Sequence, residues 1–434
     1  MLPSRLIPCL LGLLLLCHAC RTVPPPTSPP QADIPGATLH VPTSILTQGP
    51  GHHWFGYYDK LQFDPSGRYV LGAQVAFEGR SPRPDDTIRV GMIDLQAENR
   101  WTELGTSVAW SWQQGCMLQF IPGSASQVIW NDRQDGQFVS HIKDIFTGEQ
   151  RTLPFPIYTL SPDGRTALSV DFGRINDLRP GYGYAGLPDT YGDEMAPSES
   201  GIFRCDLESG EKQLIISLAD MQARAKPLGA DEAFQELLTE KNWFNHLLFN
   251  PDGSRFVFLH RWKTPSRSRG GGFATLMCSS DVEGKDIRLV DQSGYTSHFI
   301  WRDKEHLMMW TRLKEKPGFF LVKDDGSGEG LIQGEGIMTQ NGHNTYLPGN
   351  EWVLNDTYPD KDRIQHVYLF HLPTQRRIPI GDFYADPTYK GEWRVDTHPR
   401  FSPDGKQIVI DCPVGEQGRQ LVWMDISKIV EASE

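Results

Sequence analysis

A nine-residue phrase, Asn245-His246-Leu247-Leu248-Phe249-Asn250-Pro251-Asp252-Gly253, returns in variant form along the whole chain and limits what that chain can become. Each copy is a short apolar strand led by the residue in the His246 slot, followed by an aromatic or Leu and closed by a Pro-Asp-Gly type turn. The slot is filled in turn by Lys60, Met117, Ile157, His246, His298, His343 and His398. Successive slots lie 40 to 57 residues apart, except for 89 between Ile157 and His246, and most units go on to a second apolar strand such as Phe256-Val257-Phe258-Leu259. That period marks propeller blades. The expected fold is all-β, a seven-bladed β-propeller over residues 46–430 with a long insertion between blades three and four, in which radial repetition leaves no long unpaired sheet edge.

The ends of the chain read differently. Residues 1–20 carry Arg5, the apolar run 10–16 and then Cys17-His18-Ala19-Cys20, the layout of an export signal and too short for a membrane span. Ala19-Cys20 resembles a bacterial lipoprotein processing site, which would leave Cys20 lipidated and the protein in the periplasm, on the outer membrane or at the cell surface. Residues 21–45 begin with a proline-rich run and read as a linker. A net charge of −12 lacks the basic footprint of a nucleic-acid binder, and the expectation is a monomer whose contact with the membrane is its lipid anchor. Beyond the leader, Cys116, Cys205, Cys278 and Cys412 are too widely spaced to suggest a disulfide framework or a zinc pair, and read as buried thiols.

Inner strands of a propeller line one channel, so residues in equivalent slots form a ring. Four consecutive blades put histidine there: His246, His298, His343 and His398. Second strands return to the same face, adding Asn131, Arg133, Arg174, Arg261, Arg312, Asp356 and Tyr358. Arg400 follows the last slot, Gln114 precedes the second, and the dense run 51–60 contributes His53 and Tyr58. Inside the 89-residue gap, Arg179-Pro180-Gly181-Tyr182-Gly183-Tyr184 is too aromatic for a disordered loop.

Two chemistries suit such a ring. One is removal of an acidic C–H proton beside a carboxylate, with His or Tyr as base, Arg offsetting charge and Tyr or His protonating the leaving oxygen. The other is a divalent ion (Mn, Zn or Ca) on His246, His298, His343 and His398, with Asp59 and Asp356 completing the shell or orienting imidazoles. No Gly-x-Ser-x-Gly elbow or phosphate loop supports a hydrolase or nucleotide enzyme.

The turns Ser161–Gly164, Asn250–Gly253 and Ser402–Gly405 resemble those of TolB-type propellers. With the His52–Lys60 and Arg179–Tyr184 runs, the slot histidines are similar to the seven-bladed propeller polysaccharide lyases, the oligogalacturonate and ulvan lyase families. That resemblance implies β-elimination on a uronate-containing oligo- or polysaccharide. It casts His246, His298, His343 and His398 as base or metal ligands, Arg261 as carboxylate clamp and Tyr182 or Tyr184 as proton donor, with Arg179 in the same catalytic set. His53, Tyr58, Gln114, Asn131, Arg133, Arg174, Arg312, Tyr358 and Arg400 would bind substrate. Oligogalacturonate lyases take two metal ligands from a His-x-His pair; this chain has none, which points to a uronate other than pectin's. The rival class is a non-catalytic envelope propeller that binds carbohydrate or a protein, since fold does not fix function.

Overall fold

The computed structural model describes residues 31–225, 232–264 and 272–432, so the leader, the Cys20 anchor site and the proline-rich run lie outside the described residues. Seven antiparallel sheets follow one another in chain order, six of four strands and one of five. Their innermost strands are His52–Trp54, Gln119–Phe120, Thr159–Leu160, Asn242–Phe249, Phe299–Trp301, Thr345–Tyr346 and Arg400–Phe401. The chain is a seven-bladed β-propeller.

The repeated turn has a packing reason. At Gly164, with φ of 69°, an added Cβ would stand 2.3 Å from the Pro122 carbonyl oxygen of the previous blade's turn, and at Gly405 it would stand 3.0 Å from Pro348. Each turn leans on its predecessor, and glycine supplies both the left-handed backbone and the missing side chain. Between blades the sheets bury aromatic and aliphatic side chains, among them Trp54, Trp110, Trp112 and Trp130, and the four cysteines beyond the leader are buried.

Two sequence expectations need correction. The boundary at 46 is too late: Ala37–Leu39 pairs with Arg376–Tyr384 as a fifth strand of blade six, and Thr43–Ile45 pairs with Arg419–Asp425 as the outer strand of blade seven. These strands are three residues each and meet partners at the opposite end of the chain, so no local pattern announces them. The extra length is also not one insertion between blades three and four. Residues 171–200 interrupt blade three between Thr166–Ser169 and Gly201–Asp206, and the helices Leu218–Ala225 and Glu232–Thr239 precede blade four. Among the described residues no helix is long and apolar enough to cross a membrane.

Candidate functional site

Most slot residues stand one or two positions ahead of their inner strands, as His298 before Phe299, His343 before Thr345 and His398 before Arg400, while His246 sits inside its strand at a bulge. In blade four Asn245 pairs with Leu259 and Leu248 with Val257, leaving His246 and Leu247 opposite Phe258 alone. His246 takes φ of 53°, and Met117 and His398 take 56° and 40° in their own blades. A bulge of this kind re-aims a side chain, here into the channel, at a cost of about 1 kcal/mol or more for each non-glycine residue held at positive φ. Blade one makes a larger excursion. His52–Trp54 pairs with Ala73–Val75 and pairing resumes only at Phe63 with Val70, so residues 55–62 leave the sheet and carry two tyrosines into the channel.

The four histidines do converge. Ring centroids of His298 and His343 are 4.2 Å apart and those of His343 and His398 4.3 Å, while Tyr57 lies 5.1 Å from His246, 5.8 Å from His343 and 5.0 Å from His398. All four are nearly closed off, at 7, 5, 2 and 3% exposure in chain order. Burial, reinforced for His246 by Arg261 and for His298 and His398 by His343, holds these three imidazoles well below the usual histidine range, so they are neutral bases at pH 7.

Their orientations are fixed from behind. Asp356 accepts from the His343 backbone N–H at 2.6 Å and lies 2.9 Å from its Nδ1, and it also accepts from Thr397 Oγ1 at 2.6 Å and from the His398 N–H at 3.2 Å. His298 Nδ1 meets Asn341 Oδ1 at 2.9 Å, which leaves its Nε2 toward the Tyr358 hydroxyl at 3.4 Å. His343, Asp396 and His398 bring one ligand-type atom each to within 4.8 Å of one another. His398 Nε2 is buried without a hydrogen-bond partner among the described residues and stands 4.0 Å from Asp396 Oδ2, too far for a hydrogen bond. Two neutral-capable imidazoles and a carboxylate, one imidazole oriented by a second carboxylate, form a donor set that fits a divalent ion. His246 and His298 stand outside this group, contrary to the four-histidine expectation.

A second arrangement faces His246. Arg261 is buried, donates from Nε to Thr275 Oγ1 at 3.1 Å and stacks on Phe273, as does Arg179, each guanidinium 4.8 Å from that ring. Neither has a carboxylate partner among the described residues, and burial together with Arg179 lowers Arg261 to about 10. Tyr182 lies 5.6 Å from His246 and 5.2 Å from the Arg179 guanidinium, and its hydroxyl accepts from Arg394 Nη2 at 2.9 Å. Burial alone would push this phenol up, but Arg394 and Arg179 reverse it and the net shift is downward. Arg394 in turn donates to Asp396 at 2.8 Å, so one guanidinium ties the blade-three excursion to the carboxylate beside His398.

Other expected residues are engaged elsewhere. Tyr184 is fully buried, stacks on Phe172 at 4.2 Å and accepts from Asn131, whose amide also joins Ile157; both knit blades and neither reaches the channel opening. Arg174 pairs with Asp189 at 2.8 Å and donates to four backbone carbonyls, which staples the excursion to blade four. Arg133 binds Pro84 and Asp85 of blade one. His53 lies between Gln420 and Gln74, and Arg400 between Gln62 and Asp411. Arg312 stacks on the half-exposed Tyr295 at 4.1 Å. Tyr58 has its hydroxyl held by Phe299 N–H and C=O, and Gln114 acts at one remove, through Tyr158, whose hydroxyl accepts from the His246 backbone. Three residues were missed. Tyr57 occupies the middle of the ring, Asp396 stands two before a slot histidine, and Arg394 two before that; the Asp-x-His spacing was the available signal for Asp396.

No family model matches the chain. Among solved structures it is similar to an oligogalacturonate lyase in complex with manganese, at 17% identity over 91% of this chain and 96% of that one, with a TM-score of 0.62. An oligogalacturonate lyase from Vibrio parahaemolyticus matches at 13% identity, over 91% and 98%, with a TM-score of 0.60. A looser match is TolB from Acinetobacter baumannii, at 13% identity over 74% and 64%, with a TM-score of 0.39. At these identities the likeness is one of fold.

Proposed function

We propose that this protein is an exported polysaccharide lyase that cleaves a uronate-containing oligo- or polysaccharide by β-elimination. The observation that carries the reading is a pair of guanidiniums, Arg179 and Arg261, close to the neutral imidazole of His246 and without a carboxylate of their own. Arg261 is buried and Arg179 partly so; a buried cation without a counter-charge is costly, and a substrate carboxylate is a partner that would remove the cost. In that setting His246 accepts the proton on the carbon next to the carboxylate, and the arginines stabilise the negative charge that develops on it. The carbon–oxygen bond to the next sugar breaks as the carbon–carbon double bond forms. The Tyr182 phenol, whose phenolate Arg394 and Arg179 favour, gives its proton to the departing oxygen. His343, Asp396 and His398 would hold a divalent ion, which when bound supplies further positive charge for the substrate carboxylate.

The test is incubation of the purified protein with ulvan, pectin, alginate and glycosaminoglycan fragments, following absorbance of the unsaturated product with and without chelator. Product that is lost in His246→Ala and Tyr182→Phe supports the assignment. Product formed at an unchanged rate in both variants would refute the roles, and binding without product from any substrate would leave the non-catalytic propeller.

A further inference from the structure

Beside the histidines, between blades six and seven, a cleft of about 300 Å³ opens to solvent. That is the lower end of ligand-pocket volumes and suits one sugar unit. Its inner wall belongs to the site already described: Tyr358, whose hydroxyl is 3.4 Å from His298 Nε2, together with Arg394 and Asp396. Its outer part is lined by Arg363, Tyr389 and Lys390.

The charges of this cleft are not balanced. Asp396 receives Arg394, and Asp386 receives the Thr388 N–H at 2.8 Å and its hydroxyl at 2.7 Å. Arg363 uses only Nε, on the Ala385 carbonyl at 2.9 Å, and its Nη nitrogens take no partner among the described residues. Lys390 is exposed and likewise unpaired among them. Asp386 is the one carboxylate of the lining that feels Arg363, so a protein of net charge −12 keeps an excess of positive charge in a cleft whose inner wall, Tyr358 and Asp396, borders His298 and His398. The walls between are Tyr358, Tyr389, Pro359, Pro387 and Pro413, flat apolar faces of the sort that pack on a pyranose ring. The Tyr389 ring is fixed by its hydroxyl, which donates to Glu78 at 2.9 Å.

We infer that this cleft is the subsite for the sugar adjoining the reacting uronate, and that Arg363 and Lys390 select an anionic substituent, carboxylate or sulfate ester, on that sugar. The inference rests on the lyase reading for the identity of its neighbour, not for its own charge and shape. It makes the outer cleft a determinant of affinity and leaves the chemical step to the channel.

The experiment titrates the purified protein with uronate-only oligosaccharides (oligogalacturonate and oligoguluronate) and with sulfated ones (ulvan and chondroitin sulfate fragments) by calorimetry, and assays unsaturated product on the same probes. Arg363→Gln and Lys390→Gln are each expected to weaken binding about tenfold and to raise KM by the same factor with kcat unchanged. Tyr389→Phe, which keeps the wall, is expected to retain affinity where Tyr389→Ala loses it. Whichever probe set responds identifies the substituent. Binding that depends on Arg363 and Lys390 without product from any probe upholds the cleft and removes the lyase reading. Product and affinity that ignore both substitutions uphold the lyase reading and remove the cleft. If none of the probes binds the unsubstituted protein, the cleft is overturned as an acidic-sugar subsite.

Discussion

Replacing Arg261 by Met should make the protein more stable while disabling it. The Arg261 guanidinium is lowered to about 10, first because it is buried and second because Arg179 repels it. That depression corresponds to about 3 kcal/mol of disfavoured charge in the folded state. The sign follows from linkage: a base with a lowered folded value costs stability at every pH below about 10, and the cost fades only as pH rises above that toward the ordinary arginine range. Methionine removes the charge and keeps most of the stem packed on Phe273, but gives up the hydrogen bond to Thr275, worth about 1 kcal/mol. The net gain is roughly 2 kcal/mol, seen as a rise of about 2 °C or more in thermal melting. On the same preparation, affinity for an acidic oligosaccharide should fall by about a hundredfold or more, the cost of deleting one partner of a desolvated charge pair. Activity is then limited by a residue that weakens the fold, the usual sign of a functional cation. A variant that melts several degrees lower and binds sugar as before would show Arg261 to be structural and would refute the reasoning.

Four further outcomes follow from the same geometry. Asp189→Asn leaves Arg174 as a buried unpaired charge and should cost about 3–5 kcal/mol, with proteolytic cutting first in residues 171–200; an unchanged melt would count against the staple. Mn²⁺ at a hundred times its Kd should stabilise the protein by about 2.7 kcal/mol, and the shift should vanish in Asp396→Asn and His398→Ala if these hold the ion. His246, His298 and His398 are held well below 6.5, His53 at about 4 and His260 at about 3, in each case chiefly by burial. Because the unfolded chain takes up these protons first, stability should be level above pH 6.5 and fall as pH drops below it, by up to about 1.4 kcal/mol per pH unit for each histidine; a flat denaturation midpoint from pH 7 to 5 would contradict this. A chain beginning at residue 46 should melt well below one beginning at residue 32, since only the shorter lacks the outer strands of blades six and seven.

Repetition made the fold readable. A glycine turn every blade and apolar strands between turns are local patterns, and seven of them leave few alternatives to radial packing. The closing strands were hidden because their partners lie some 340 residues or more away and each is too short to carry an alternation. The ring of histidines was readable for the same reason as the blades: equivalent positions converge under rotation, whatever their separation in sequence. Extending that rule to second strands failed at Arg133 and Arg174. Arg133 is still within its strand but its guanidinium reaches the Pro84 carbonyl and Asp85 of blade one, and Arg174 lies in the helix Phe172–Leu178, where Asp189 and backbone carbonyls take it up.

What sequence could not supply was the consequence of breaking the repeat. Blade one leaves its sheet for residues 55–62 and blade three for 171–200, and these two departures bring Tyr57, Arg179 and Tyr182 to the histidines. A perfectly regular propeller would present a symmetric ring with no preferred side. Here the side toward blade four has Arg179 and Arg261, neither with a carboxylate partner among the described residues, while the side toward blades six and seven has Asp356 and Asp396 bracketing His343 and His398. On the proposed reading one half of the channel would take an anion and the other a cation, with His246, His343 and His398 5.0 to 5.8 Å from a common tyrosine, Tyr57. That division follows from the irregular segments, so exchanging the 171–200 segment for a tight turn should leave a folded propeller whose candidate ion site survives and whose affinity for acidic sugar is lost.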